Sequence, residues 1–431
     1  MAFARLSVRR LVTAFGIGTM LLTWASVTTP ATAQTISAPA GASLDRTALN
    51  GTLHAIHEAG MYGTYSSVRD ARAKWQGAAG VADVRTGKPV HPGMLHRVGS
   101  ISKTFTAVAV LQQVARGRVE LDAPIGRYLP DLVTGARGQA ITVRMLLNHT
   151  SGLGDHIVGA FPSLLQGSTA SLDDNRFRTF QPEELVRLGL AAPAAGEPGQ
   201  RWSYSNTNYV IAGLLLKKVT GTDAETYITR NVIRKAGLKD TSFPRTPFIP
   251  GPHSRAYESF YGLIDPPRDY SVYNMSWIYT AGAVVSTMND LNTFYRALLG
   301  GELLDAQRFA EMVRTVPVTD ERGNVLFNYG LGIYAQDLPC GRFWGHDGAV
   351  FGSGTISLSS PDGKRQLSIG INLMKYQTVD ENGAIQVHPI DIALSTHLLQ
   401  ALCGSQAAAP NALTEPSVPL FLTEPLWPKI K

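Results

Sequence analysis

The sequence is poor in the features that would mark a metalloenzyme, a nucleic-acid binder or an integral membrane protein. Only two cysteines, Cys340 and Cys403, occur in its 431 residues, and there is no Cys-x-x-Cys pair and no His-Glu-x-x-His run, so a metal mechanism has no support and no cofactor is called for. Charged residues make up only 17% of the chain, with a net charge of +6. Three of the arginines, Arg5, Arg9 and Arg10, lie in the first 33 residues with no acid beside them, and without that segment the charge is +3. This is too little for a nucleic-acid partner. No stretch after residue 27 is apolar and long enough to span a bilayer. Internal repeats and heptad arrays are also missing.

What is present is enough apolar material for a large core: 44% of the residues are hydrophobic, which suits one or two globular domains. The segment 1–33 reads as a signal peptide. Its arginines precede an apolar run over 11–27, and the small residues Ala31 and Ala33 frame a cleavage site before Gln34. Thr13, Gly16, Gly18, Thr23 and Ser26 make the run too short and too weakly apolar for a stable membrane anchor. Arg9-Arg10 suggests twin-arginine export, but Ser7 stands one place early and Val12 replaces the usual Phe, so the route stays open. The expected location is secreted, extracellular or periplasmic. In such an oxidising compartment Cys340 and Cys403 would pair, the alternative being two buried thiols.

The pattern along the chain predicts an amphipathic helix over 43–58, with Leu49, Leu53 and Ile56 on one face, and strands near 62–69 and 78–84. A long apolar helix follows over 100–116, stopped at Gly117. Residues 118–280 read as helices and Gly/Pro loops, including a helix capped by Thr142 and another from Thr207 to the Thr220-Gly221 stop. Strand character returns over 329–334, 342–346, 352–359 and 366–373, with Pro361-Asp362-Gly363 as a hairpin turn, and a last helix spans 390–402. The expected fold is therefore α+β: an antiparallel β-sheet flanked by helices and completed by both chain ends (34–117 and 281–404), with an inserted all-α domain (118–280) and a C-terminal tail (405–431).

Three short motifs carry chemistry. In Ser100-Ile101-Ser102-Lys103 the two functional residues share a helix face, so the Lys103 amine can reach the Ser100 hydroxyl and act as its base if burial and nearby charge keep it neutral. Ser-x-x-Lys arises by chance about once or twice in a chain this long, so alone it also reads as a serine capping a helix. In Tyr204-Ser205-Asn206 the phenol is a candidate proton carrier and the amide a candidate ligand for a substrate carbonyl and for Lys103, although a packed Tyr beside a capping Asn has the same pattern. In Trp344-Gly345-His346-Asp347-Gly348-Ala349, at a strand end, the glycines permit close backbone approach. The Ala349 amide is a candidate oxyanion donor, and His346 a proton donor or positive charge. The rival there is a plain Asp347-Gly348 hairpin turn.

The order Ser-x-x-Lys, Tyr-x-Asn, His-x-Gly resembles the penicillin-binding and serine β-lactamase hydrolases, most closely the class C-like branch with its secreted serine-type D-alanyl-D-alanine carboxypeptidases. The resemblance runs from about Leu44 to Cys403 and includes His96-Arg97-Val98-Gly99-Ser100, Leu146-Leu147-Asn148-His149-Thr150-Ser151-Gly152-Leu153, Tyr204-Ser205-Asn206-Thr207-Asn208-Tyr209 and Thr280-Ala281-Gly282-Ala283-Val284-Val285-Ser286. It implies a β-lactamase/transpeptidase-like fold and a D-Ala-D-Ala peptide substrate. It also implies Ser100 as nucleophile, Lys103 and Tyr204 as proton carriers, His346 as a support for charge, an oxyanion hole from the Ser100 and Ala349 amides, and Asn206 and Trp277 against the substrate. Cys340 and Cys403 stand where such a carboxypeptidase has its disulfide.

The departures concern the substrate. Relatives that hold a terminal carboxylate have hydroxyls at the places of Asp347 and Ala349 and an Arg about where Tyr334 falls. If Asp347 faces the cleft, two carboxylates meet and repel by about 1–4 kcal/mol at a partly shielded site. Arg342 is a nearby candidate to compensate, and a solvent-facing Asp347 would decide nothing. Small peptides, esters and β-lactams are the expected partners, with an esterase, amidase or β-lactamase as the alternative to the carboxypeptidase.

Overall fold

The structure is a computed structural model that describes residues 44–404 apart from 321 and 382. The expected signal segment and C-terminal tail lie outside the described residues. The chain enters through α1 (Arg46–Glu58), capped by the Asp45 carboxylate, which accepts from the Ala48 amide at 2.9 Å. Its Leu49, Leu53 and Ile56 are buried as the spacing predicts, each burial contributing about 1.5–3 kcal/mol relative to exposure.

The sheet takes strands from both ends of the chain. β1 (Gly63–Asp70), β2 (Ala73–Asp83) and β3 (Lys88–Pro89) come early; β4 (Val316–Thr319), β5 (Val325–Tyr329), β6 (Tyr334–Leu338), β7 (Gly341–Val350), β8 (Ser353–Ser359) and β9 (Arg365–Ile371) come late. Among the described residues they form a nine-stranded sheet in the order β3-β2-β1-β9-β8-β7-β6-β5-β4, with every neighbour antiparallel. The seam between early and late strands is β1 on β9, with Val68 opposite Leu367.

Three strand expectations need correction, the first being the strand near 78–84, which starts earlier, at Ala73, and ends at Asp83. The expected strand 329–334 is broken: Tyr329 ends β5 and Tyr334 opens β6, paired with each other, and residues 330–333 connect them, because Gly330 and Gly332, the latter at φ +71°, turn the chain. The 342–346 strand extends to Val350, so Asp347 and Gly348 lie within β7, paired with Ile356 and Thr355, rather than in a hairpin turn. The turn at 361–363 is as expected, closed by the Gly363 amide on the Ser360 carbonyl at 2.8 Å.

One face of the sheet carries α1 and α6 (Pro389–Cys403), over a core that includes Leu53, Val68, Leu367 and Leu398. A larger core joins α2 (Ser102–Ala115), α4 (Asn206–Thr220) and α5 (Met288–Leu299), where Phe105 of α2 stacks on Phe294 of α5 at 3.8 Å between ring centroids. Residues 102–113 of α2 are all buried, and its polar side chains find partners inside the fold, Thr104 Oγ1 donating to the Gly332 carbonyl at 2.7 Å and Thr106 Oγ1 to the Thr280 carbonyl at 2.8 Å. The intervening α3 (Val143–Leu147) is capped by Thr142, and α4 ends at Gly221 in the left-handed conformation. The Cys340–Cys403 disulfide joins the β6–β7 turn to the last residue of α6. Among the described residues no helix is long and apolar enough to cross a membrane.

Candidate active site

Ser100 does not cap α2. It sits inside the short 3₁₀ turn Gly99–Ile101 that leads into the helix, and is 8% exposed. Three residues on, the Lys103 side chain is fully buried and its Nζ lies 3.0 Å from Ser100 Oγ, 2.7 Å from Asn206 Oδ1 and 2.9 Å from the Ala281 carbonyl. Burial pushes the Lys103 amine down to about 7, against the opposing pull of Asp155 and Asp347. The geometry suits the neutral amine. Its two N–H bonds have two fixed acceptors, Asn206 Oδ1 and Ala281 O, which leaves the lone pair facing the Ser100 hydroxyl.

Tyr204 approaches from the other side and donates to Ser100 Oγ at 2.7 Å. Its ring lies 4.3 Å from that of His149 and 4.8 Å from Lys103 Nζ, so the cation of protonated Lys103 would face the ring. The residues around it are pinned by backbone: Ser203 N donates to the His149 carbonyl at 2.8 Å, and Ser205 Oγ to the Gly154 carbonyl at 2.9 Å. Asn206 opens α4. Its Nδ2 donates to Asp155 Oδ2 at 2.8 Å, and its backbone N–H to the same oxygen at 2.9 Å.

The opposite wall is β7, brought against the serine turn by two glycines. A Cβ on Gly348 would lie 2.0 Å from the Val98 carbonyl oxygen and 2.7 Å from the Ser100 nitrogen, while one on Gly99, at φ +53°, would lie 2.8 Å from the Ala349 nitrogen. Neither position admits a side chain, and the contact sets the Ser100 and Ala349 backbones side by side.

The side chains of this wall depart from expectation. His346 is fully buried and neutral, its imidazole pushed down to about 3 by burial. Nδ1 faces the Asp347 carbonyl at 2.5 Å and so carries the proton; Nε2 then accepts from Tyr329 Oη at 2.9 Å. The expected positive charge is therefore not supplied by this histidine. Asp347 is 1% exposed, so it does not point to solvent. Its carboxylate lies 3.7 Å from His346 Nδ1, and its field reaches Lys103, Tyr295 and Tyr334. Arg342 does not compensate: it makes a two-pronged pair with Asp337 at 2.7 and 2.8 Å on the outside of the hairpin. Trp277, expected as a cleft wall, is only 4% exposed and is enclosed by Phe351, Phe161 and Tyr273 at 5.1, 5.5 and 6.4 Å.

Three participants went unsingled by the sequence reading. His149, at φ +60°, is buried among Tyr204, Tyr209 and Tyr329. Tyr329 holds His346, and Asp155 holds Asn206. The run around His149 was visible as a motif, whereas Asp155 and Tyr329 are ordinary residues until the fold brings their partners to them. Among the described residues no group of three or more His, Cys, Asp or Glu side chains is placed to hold a metal ion.

Comparison with known proteins places the chain among relatives. The family model described as Beta-lactamase matches residues 29–384. The esterase EstB of Burkholderia gladioli is 32% identical over 215 residues, covering 48% of this chain and 54% of the esterase. A penicillin-binding protein of Bacillus subtilis is 27% identical over 301 residues, covering 67% and 63%. The chain thus spans less than two thirds of the length of either curated relative. The crystal structure of a D-stereospecific amidohydrolase from a Streptomyces species superimposes with a TM-score of 0.72 at 34% identity, covering 84% of this chain and 99% of that one.

Proposed function

This chain belongs to the beta-lactamase family, and from that premise we propose that it hydrolyses amides and esters of D-amino acids through an acyl-enzyme on Ser100. The observation that carries the reading is the convergence of Lys103 Nζ and Tyr204 Oη on Ser100 Oγ at 3.0 and 2.7 Å. Neutral Lys103 takes the hydroxyl proton as Ser100 Oγ attacks the carbonyl carbon. The oxygen that gains charge is held by the Ser100 and Ala349 amides. Tyr204 hands a proton to the leaving amine or alcohol as its bond to carbon breaks; water then attacks the acyl carbon as it gives a proton to the Tyr204 phenolate, and the Lys103 ammonium returns its proton to Ser100 Oγ as the acyl bond breaks, releasing the acid and free Ser100.

The strand wall supports this substrate class. A terminal carboxylate would approach a buried Asp347, a neutral His346 and an Ala349 without a hydroxyl, while the one nearby arginine of β7 is committed to Asp337. Neutral carboxamide or ester ends meet none of that repulsion, and the named activities of the similar esterase and D-stereospecific amidohydrolase agree with this. The second reading is a D-Ala-D-Ala carboxypeptidase, favoured by the motif order and by the similar penicillin-binding protein. An extracytoplasmic location is part of the proposal, supported by the Cys340–Cys403 disulfide.

The test is turnover of D-phenylalanine amide, a neutral p-nitrophenyl ester and diacetyl-Lys-D-Ala-D-Ala by the wild type and by Ser100→Ala. Amide and ester cleavage lost in the variant, with little D-alanine release, is the expected result. D-alanine release that exceeds amide cleavage moves the assignment to the carboxypeptidase, and turnover that survives Ser100→Ala removes the acyl-enzyme reading altogether.

A further inference from the structure

Asp155 is a carboxylate that the mechanism above does not use, yet it is woven into the base. It lies at the N-terminus of α4, where a negative charge is favoured by the helix dipole and by unpaired backbone donors. Its Oδ2 accepts both the backbone N–H and the Nδ2–H of Asn206, and its Oδ1 accepts the Ile157 N–H at 3.0 Å. Three donors thus fix the carboxylate plane.

The consequence falls on Asn206. An amide side chain has an accepting end and a donating end, and rotation by half a turn exchanges them. The Asp155 carboxylate accepts from three N–H groups, so it requires Nδ2 on its side. Oδ1 is then turned toward Lys103 Nζ at 2.7 Å. If the amide were reversed, Nδ2 would face the amine and compete for its lone pair, and two oxygens would face each other at Asp155. The direction of the Lys103 lone pair is thereby decided one residue further out than the groups that touch it.

Resting on the reading of Ser100 and Lys103 as nucleophile and base, we propose that Asp155 is a positioning residue. It locks the Asn206 amide with its oxygen on Lys103, and so aims the amine at the Ser100 hydroxyl. Its charge has a second effect. Asp155 and Asp347 are the two acids whose fields hold the Lys103 amine up against burial. The other titratable groups around this lysine are Tyr204 and Tyr209, whose rings face Nζ at 4.8 and 5.7 Å, and His149, His156 and His346, all buried and pushed down from the ordinary histidine value. His156, next to Asp155, donates from Nε2 to the Trp277 carbonyl at 2.8 Å, and its Nδ1 is 4.0 Å from Asp155 Oδ1.

The experiment is single-turnover acylation by an activated neutral ester, followed against pH in the full chain. Asp155→Asn is expected to slow acylation by about 10²-fold, a typical share for a well-aimed base, with KM little changed. Its acid limb should move to lower pH, since removing a negative neighbour makes the ammonium easier to deprotonate. A change that merely loosened the fold would lower the rate without moving the limb. In an Asn206→Ala background the same substitution should slow acylation by under about threefold, because the amide it acts through is gone. Asp155→Glu keeps the charge and displaces the oxygens, so its limb should stay at the wild-type pH while the rate falls part of the way.

An unmoved limb in Asp155→Asn, or fully additive losses with Asn206→Ala, overturns the proposal. If Asp155→Asn does not fold, Asp155→Glu decides: a wild-type rate overturns it and a partial loss with the limb in place supports it. Ser100→Ala run in parallel separates the two claims, because activity that survives in it defeats the acyl-enzyme reading rather than the role of Asp155.

Discussion

The two walls of the site differ in kind. On the helix wall, Ser100, Lys103, Tyr204 and Asn206 are joined by hydrogen bonds of 2.7–3.0 Å, and each polar group has a partner suited to its protonation state. On the strand wall, backbone does the aligning, and the side chains at 346, 347 and 349 are a neutral histidine, a buried carboxylate and a methyl group. In the proposed mechanism, reaction chemistry and substrate choice thus sit on different elements. In it, nucleophile and base both come from the turn into α2 and its first residues, the start of α4 orients the base through Asn206, and β7 limits what binds. A motif search weights both walls equally and so blends two questions that the proposed mechanism separates.

The strongest way to break this contrast is at the serine. Ser100→Ala should lower kcat/KM by about 10⁴-fold or more for every substrate alike, with thermal stability retained; a loss confined to one substrate class would mean that the walls are not separable. The pH profile is next. With the Lys103 amine near 7, kcat/KM for a neutral ester should fall about tenfold per unit as pH drops below 7, because the ammonium form has no lone pair for the hydroxyl proton. His346→Asn should leave that limb in place, since a histidine already neutral at pH 7 has no proton to lose there, and a limb that disappears would return His346 to the acid–base chemistry.

A smaller and selective effect is expected on the strand wall. Asp347→Thr combined with Ala349→Thr should raise kcat/KM for a peptide with a terminal carboxylate by about tenfold or more, by removing a like charge, and change amide turnover little. An equal rise for both would show that Asp347 acts on Lys103 rather than on the substrate. The least effect on turnover is predicted far from both walls. Replacing Cys340 and Cys403 by Ser should lower folding stability by up to about 4 kcal/mol in the chain-entropy account, read from urea melts, with kcat within about twofold of the wild type.

The sequence made the helix wall legible because its residues are local or lie in dense motifs: Ser100 and Lys103 are one helical turn apart, and Leu49, Leu53 and Ile56 show their shared face by spacing alone. The sheet was legible in kind but not in its limits. Tyr329, Leu331, Ile333 and Tyr334 carry strand propensity across a turn that only Gly330 and Gly332 betray, and the β7 glycines masked a strand ten residues long. Asp155 and Tyr329 were out of reach for another reason. Their partners Asn206 and His346 lie 51 and 17 residues away, and no local pattern encodes such a pair. The state of His346 was equally hidden, since burial sets it and a motif carries no burial.

The contact of Gly99 and Gly348 sets a rule for anyone who would re-engineer the pocket. The gap between the walls is gauged by main chain against main chain, so it does not depend on the half-buried side chain at 349. Position 349, half-buried on β7, is the variable for a library that seeks new leaving groups, whereas Asp347, at 1% exposure, is packed and constrains its replacement. Positions 99 and 348 are fixed spacers, and a single added methyl at either, meeting backbone at 2.8 or 2.0 Å, would pry the jaws apart and remove activity toward old and new substrates together.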